Sequence, residues 1–238
     1  MPRAGLPAGA VAYAIGDIHG RADLLDRLLQ SIRADCADPG AATVVFLGDY
    51  VDRGDDSRDV IDLCLAFGRD WPGEVVFLRG NHEAALLTFL DDPESGQRWL
   101  EFGGMPTLMS YGVPDVAAPM SGERLARASD AFRSRLPAEH LDFLERTVLS
   151  YRMGGTFFCH AMIDAGFAAD EQPAEVLMWG GRTRTPPRDW PYLVVHGHTI
   201  VERPVLSARE VNVDTGAYYS GRLTAARLSG DGVELLQT

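Results

Sequence analysis

Residues 44–54, VVFLGDYVDRG, carry an apolar run straight into two aspartates and an arginine. A short apolar run bounded by glycines reads as a buried strand that empties into a loop. One such stretch would be explained by a solvated turn between a strand and a helix. The chain, however, has two more like it. VAYAI (11–15) precedes GDIHG and a segment in which Leu24, Leu25, Leu28, Leu29 and Ile32 recur at helical spacing. EVVFL (74–78) precedes RGNHEAALLTFL. After the quoted stretch comes SRDVIDLCLAFGRD, where Ser57 is expected to cap a helix whose buried face is Val60, Ile61, Leu63, Cys64 and Phe67. Three successive strand–loop–helix units predict a parallel sheet with crossover helices, the third strand being Val75 to Leu78 and the third helix starting near His82.

Residues 91–145 are mostly helical in pattern, interrupted by the Gly- and Pro-rich connector FGGMPTLMSYGVPDVAAPMSGE. They predict an inserted helical cap. From LSYRMGGTFFCHA onward the chain turns to short strands: YLVVHGH, RPVLS, EVNVDTG, GRLTAARLS and GVELLQ. These predict a second sheet packed on the first. The expected fold class is therefore α/β, with two mixed β-sheets packed as a central sandwich flanked by helices, in one domain over residues 1–238.

With 238 residues, 46% of them hydrophobic, the chain can bury a core without a metal or a disulfide. No apolar run approaches the roughly 20 residues that span a bilayer, and the first residues lack an apolar signal core, so the expectation is a cytoplasmic protein with no membrane partner. Cys36, Cys64 and Cys159 form no CxxC pair and are expected to be reduced core or near-core residues. A net charge of −12 speaks against a nucleic-acid partner, which demands a basic face. An anionic substrate must then be drawn in locally, by bound cations or clustered arginines.

In an open α/β sheet, ligands collect beyond the carboxyl ends of the strands. Asp17 and His19 follow the first strand; Asp49, Asp52 and Arg53 follow the second; Arg79, Asn81, His82 and Glu83 follow the third. His160 closes TFFCH, and His196 and His198 close LVVHGH. Of the six histidines only His140 lies elsewhere, inside a helical stretch. Mixed imidazole and carboxylate donors suit manganese, iron or zinc better than calcium. Two such ions about 3.5–4 Å apart share a carboxylate and stabilise both oxygens of an in-line displacement at phosphorus. Asp49 has the central position that sharing requires.

GDIHG (16–20), GDYVDRG (48–54), RGNHE (79–83), CHA (159–161) and HGHT (196–199) resemble, in order, the signature blocks of the phosphoprotein phosphatase family within the calcineurin-like metallophosphoesterases. HGHT and the tail NVDTGAYYSGRLTA are closer to bacterial members. The resemblance implies that Asp17, His19 and Asp49 hold one divalent ion and that Asp49, Asn81, His160 and His198 hold a second, with manganese foremost and iron or zinc as alternatives. It places the general acid at His82, oriented by Asp52, and phosphate-binding arginines at Arg53 and Arg79. A further arginine clamp falls in MWGGRTR, at Arg182 in preference to Arg184. The activity implied is hydrolysis of phosphoserine or phosphothreonine in proteins, or of small phosphate esters, by direct attack of a water bridging the ions. An imidazolium donating to the leaving oxygen contributes about 10²–10⁴ in rate, and guanidinium forks match phosphate oxygens. The alternative is a symmetrical diadenosine tetraphosphatase or related nucleotide hydrolase. A silent binding scaffold would lack ligands or the acid, and none is missing. Met162 stands where many members carry glycine, and departs from that pattern beside His160. His196 reads as a supporting donor or a plain strand residue, Glu83 as an orienting group, Trp99 and Phe102 as core, and Tyr218 and Tyr219 as pocket edge or packing.

Overall fold

The structure, a computed structural model, describes residues 5–117, 120–230 and 232–238. Its first half follows the sequence closely: strand β1 (Val11–Ile15), helix α1 (Ala22–Asp35), β2 (Ala42–Phe46), α2 (Ser57–Asp70), β3 (Val75–Phe77) and α3 (Asn81–Asp91). β1, β2 and β3 pair in parallel. Leu78 lies just past β3 and makes a lone parallel bridge to Val148. Ser57 does not cap α2. Asp56 precedes the helix, and the Ser57 hydroxyl turns inward to accept from the backbone N–H of Asp52 at 3.1 Å.

The insertion is helical, as expected: α4 (Gly96–Trp99) continues through a π-helical turn (Leu100–Gly104) into α5 (Met105–Ser110), followed by α6 (Glu123–Arg135) and α7 (Ala138–Arg146). Trp99, Leu108, Phe132 and Phe143 share one buried cluster with Tyr13, Ile15, Val44 and Phe46. The remaining elements are β4 (Ser150–Met153), β5 (Thr156–Cys159), α8 (Ala174–Trp179), β6 (Leu193–His196), β7 (Val205–Leu206), β8 (Glu210–Asn212), α9 (Ala217–Ser220), β9 (Thr224–Ser229) and β10 (Gly232–Gln237).

The two five-stranded sheets run β10-β9-β1-β2-β3 and β4-β5-β6-β8-β7. The second half therefore divides. β4 to β8 build the second sheet, whereas β9 returns to pair antiparallel with β1 and carries β10 with it. That pairing covers the β1 edge, which would otherwise present unpaired backbone groups. Side chains alternate across the first sheet. Tyr13, Ile15, Val44 and Phe46 face the helices, while Ala12, Ala14, Val45 and Leu47 face Phe158, Val195 and Val211 of the second sheet. Phe157, Cys159 and Val194, on the outer face of that sheet, are covered by Leu177 of α8 and by Met162 and Ile163. Each such Val, Leu or Phe contributes about 1.5–3 kcal/mol by burial. All three cysteines are free, with Cys64 and Cys159 buried. Among the described residues no helix is long and apolar enough to cross a membrane.

Candidate metal centre and active site

Parallel strands β1, β2 and β3 deliver their loops to one end of the sandwich, and β5 and β6 deliver two more. The loops are tied by backbone bonds: the Asp49 carbonyl accepts the N–H groups of both Ile18 and His19, at 3.0 and 2.9 Å. The price is backbone strain. Among the described residues, positive φ outside glycine occurs at His19, Asp49, Asp52, Arg53 and His198, and otherwise only at Asp115. Such conformations cost about 1–3 kcal/mol each and cluster where function demands them. Gly48 (φ 103°) sits at a close approach of two of these loops, since a Cβ there would lie 2.6 Å from the Gly80 nitrogen.

Glu83 binds these loops from beneath. Its buried carboxylate accepts the backbone N–H groups of Asp49 (2.9 Å), Tyr50 (2.8 Å) and Gly80 (2.9 Å). Burial, followed by the charge of Asp49, pushes it up to about 7. Its orienting role is thus visible in its partners.

Asp49 is shared by two groups of donors. His19 and His82 form one with it, and His160 and His198 the other. His19 Nε2 and His160 Nε2 both stand 3.4 Å from Asp49 Oδ2. His160 Nε2 is also 3.0 Å from Asn81 Oδ1, and His198 Nδ1 is 2.9 Å from the same oxygen. Asp17 is buried at the same place, its two oxygens accepting the His198 backbone N–H at 3.1 Å.

Divalent cations fit this set. His19 Nδ1 lies 2.8 Å from the Val51 carbonyl and must donate to it. That leaves Nε2 with a lone pair aimed at a carboxylate, buried and without a hydrogen-bond partner. His160 is oriented in the same way, its Nδ1 donating to the Leu47 carbonyl at 2.9 Å and its Nε2 turned to Asn81 and Asp49; a histidine oriented through its second nitrogen is how metal-ligating imidazoles are held. The electrostatics agree. Burial, with the charges of Asp214 and Asp49, holds Asp17 well above the usual carboxylate range. Burial pulls His160 down, but Asp49 and Asp17 outweigh it and push the imidazole up to about 10. The cluster is short of positive charge. Burial drops His19 to about 3, and burial together with His160 drops His198 to about 4, so both stay neutral and able to ligate.

Beside the centre stands a second arrangement. His82 Nδ1 donates to Asp52 Oδ2 at 2.6 Å, and its Nε2 faces Arg53 at 3.2 Å. Burial lowers His82, but the charges of Asp49 and Asp52 prevail and raise it above the ordinary imidazole value. Asp52 is itself held from the insertion: the Trp99 indole donates to Oδ2 at 2.8 Å and the Thr107 hydroxyl to Oδ1 at 2.6 Å. Thr107 Oγ1 also accepts the Asp52 backbone N–H at 2.9 Å. Arg53 is fixed by its N–H to the Gly103 carbonyl, 2.9 Å, and its guanidinium lies 4.9 Å over the Tyr218 ring. Tyr218 thus edges the pocket, with Tyr219 exposed beyond it.

Other expected residues lie apart. Arg79 spends its guanidinium on the end of α7, donating to Thr147 Oγ1 (2.9 Å), the Leu144 carbonyl (3.2 Å) and the Glu145 carbonyl (2.6 Å). The reason is electrostatic, because the last carbonyls of a helix attract a cation. Arg182 and Arg184 are exposed on the loop after α8. His196 is a strand residue whose Nε2 meets Glu210 Oε1 at 3.2 Å. Met162 packs into the core under α8. Sequence reading overlooked Thr107, hidden in a stretch read as a connector, and took Trp99 as core alone. It also passed over Asp214, buried beside Asp17, because the short strand before it, EVN, is not an apolar run like those before Asp17 and Asp49.

An aspartate shared by two histidine groups, one of which includes the His82 imidazole that is paired with Asp52, with a guanidinium beside it, is the equipment of a metal-dependent phosphoesterase. The chain belongs to the calcineurin-like phosphoesterase family, whose model matches residues 11–219. It is similar to the asymmetrical bis(5'-nucleosyl)-tetraphosphatases PrpE of Bacillus velezensis, 28% identical over 90% of this chain and 87% of that one, and of Anoxybacillus flavithermus, 26% identical over 90% and 88%. Among solved structures, the cold-active protein-tyrosine phosphatase of a psychrophilic Shewanella shares the fold, with a TM-score of 0.59, 18% identity, and coverage of 100% of this chain and 83% of that one.

Proposed function

We propose that this metallophosphoesterase hydrolyses dinucleoside tetraphosphates at the phosphoanhydride next to one nucleoside, giving a nucleoside monophosphate and a nucleoside triphosphate. The observation that carries the reading is the similarity to tetraphosphatases across nine-tenths of the chain. This reverses the order suggested by the signature blocks, which put phosphoserine and phosphothreonine first and a symmetrical cut second. Asp17, His19, Asp49, Asn81, His160 and His198 are the proposed metal ligands. The divalent ions, when bound, supply positive charge that stabilises the phosphoryl group under attack.

The chain's own residues do the rest. Arg53 binds a phosphoryl oxygen and, being 3.2 Å from His82 Nε2, sets the leaving oxygen beside that nitrogen. His82 is kept in register by Asp52 at Nδ1; its Nε2 accepts from Arg53 in this structure, and once the guanidinium turns to the phosphoryl oxygen that nitrogen carries the proton for the leaving group. A phosphate leaving group is far less basic than an alkoxide, so a nucleotide substrate asks less of His82 than a phosphoserine would. The insertion shares its core with β1 and β2, which supports the chain working as one domain.

Turnover of diadenosine tetraphosphate and of a phosphoserine peptide, side by side with manganese, tests the reading. AMP and ATP in equal amounts are expected, with the peptide slow or inert. Rapid peptide hydrolysis with an untouched nucleotide would restore the phosphoprotein reading.

A further inference from the structure

Beyond His82, α3 continues as one wall of a cleft of about 240 Å³ lined by Ala85, Thr88, Arg98, Trp99, Phe102 and Trp179. Ala85 and Thr88 are three and six residues past His82, turned about 60° and 120° from it around the helix, so the cleft begins about 4.5 Å along the axis and reaches about 9 Å as it winds away from the centre. Phe102 joins the two places: its ring centroid is 6.4 Å from that of His82 and 5.7 Å from that of Trp179. The Arg98 guanidinium lies 5.4 Å over the Phe102 ring. Trp179, at the exposed end of α8, has 36% of its surface open to solvent. None of these groups is needed by the centre itself except Trp99, whose indole N–H is spent on Asp52.

We propose that the cleft lined by Phe102 and Trp179 is a nucleobase subsite that receives one base of the dinucleotide against their exposed faces; the inference rests on the function proposed above. Two aromatic rings with a guanidinium beside them suit a flat aromatic ligand, because every base offers a π-face. The hydroxyl of Thr88 donates to the Ala84 carbonyl at 2.8 Å, which leaves its oxygen free to accept from an exocyclic amine. A phosphoserine side chain carries nothing that would use these rings.

The test compares Trp179→Ala and Phe102→Ala with the manganese-loaded wild type on diadenosine tetraphosphate and on para-nitrophenyl phosphate, which is too short to span both places. Loss of one stacked base is expected to raise KM for the dinucleotide about 5- to 150-fold in both variants and, in Trp179→Ala, which lies away from His82, to leave the aryl phosphate unchanged, with Trp179→Phe restoring most of the affinity. Independently, AMP should quench the fluorescence of the exposed Trp179 saturably in the wild type, and ribose 5-phosphate should not. Normal dinucleotide KM in both alanine variants, or equal losses on both substrates, would overturn the subsite. If the wild type ignores the dinucleotide, the proposed function falls. Quenching by AMP would then still uphold a base-binding cleft, and its absence would remove that as well.

Discussion

Thr107→Val isolates the link between the insertion and the proposed acid. The side chains are nearly equal in volume, and the residue is fully buried, so packing hardly changes. What disappears is an oxygen that donates to Asp52 Oδ1 at 2.6 Å, accepts the Asp52 N–H at 2.9 Å and meets the Ser57 hydroxyl at 3.0 Å. The Asp52 N–H keeps Ser57 as a partner, but Oδ1 loses its donor and gains a methyl group. A hydrogen bond to a charged group contributes about 1.5–3 kcal/mol, and an unsatisfied buried acceptor makes its removal dearer, so a loss of about 2–4 kcal/mol is expected. For a chain of this length that corresponds to a Tm lower by about 5–15 °C. Asp52 would also hold His82 less firmly. The loss in kcat should accordingly be larger for substrates with basic leaving groups than for para-nitrophenyl phosphate, and Thr107→Ser should recover both stability and discrimination. A Tm within a degree of wild type would refute the hydrogen-bond argument. Equal kinetic losses on good and poor leaving groups would refute the role given to the Asp52–His82 pair.

Further outcomes are specific to other residues. Glu83→Gln replaces one acceptor oxygen with an NH₂ that faces backbone donors, and should cost about 2–4 kcal/mol and reduce bound metal by elemental analysis; full metal content at wild-type Tm would count against its loop-binding role. Arg79→Met should lower Tm with little change in KM, because its guanidinium serves α7; a raised KM at unchanged Tm would return Arg79 to the phosphate site. Asp49→Asn should cut metal content below that of wild type, and an unaltered stoichiometry would exclude the shared carboxylate. Chelation should lower Tm, since it leaves Asp17, Asp49 and Asp214 buried together with only the neighbouring imidazoles to offset them; identical melting with and without chelator would contradict a tightly held pair of ions.

The sequence by itself determined the parallel β1–β2–β3 unit and the convergence of its loops, because hydrophobic periodicity is local and each strand ends in its own glycine and charged residues. It also marked the donor-rich loops behind the apolar runs, which are legible without knowing which strands are neighbours, while the choice of Asp17, His19, Asp49, Asn81, His160 and His198 among their residues came from the resemblance of the signature blocks. Tertiary structure alone decided the rest. That β9 and β10 rejoin the first sheet depends on which edge needs covering, a relation between residues some 200 positions apart that no local pattern encodes. Arg79 looks in sequence like Arg53, and only the placement of the α7 carbonyls turns it away. Trp99 and Thr107 reach Asp52 solely because the inserted helices fold back over it, where an indole N–H and a hydroxyl meet a buried carboxylate.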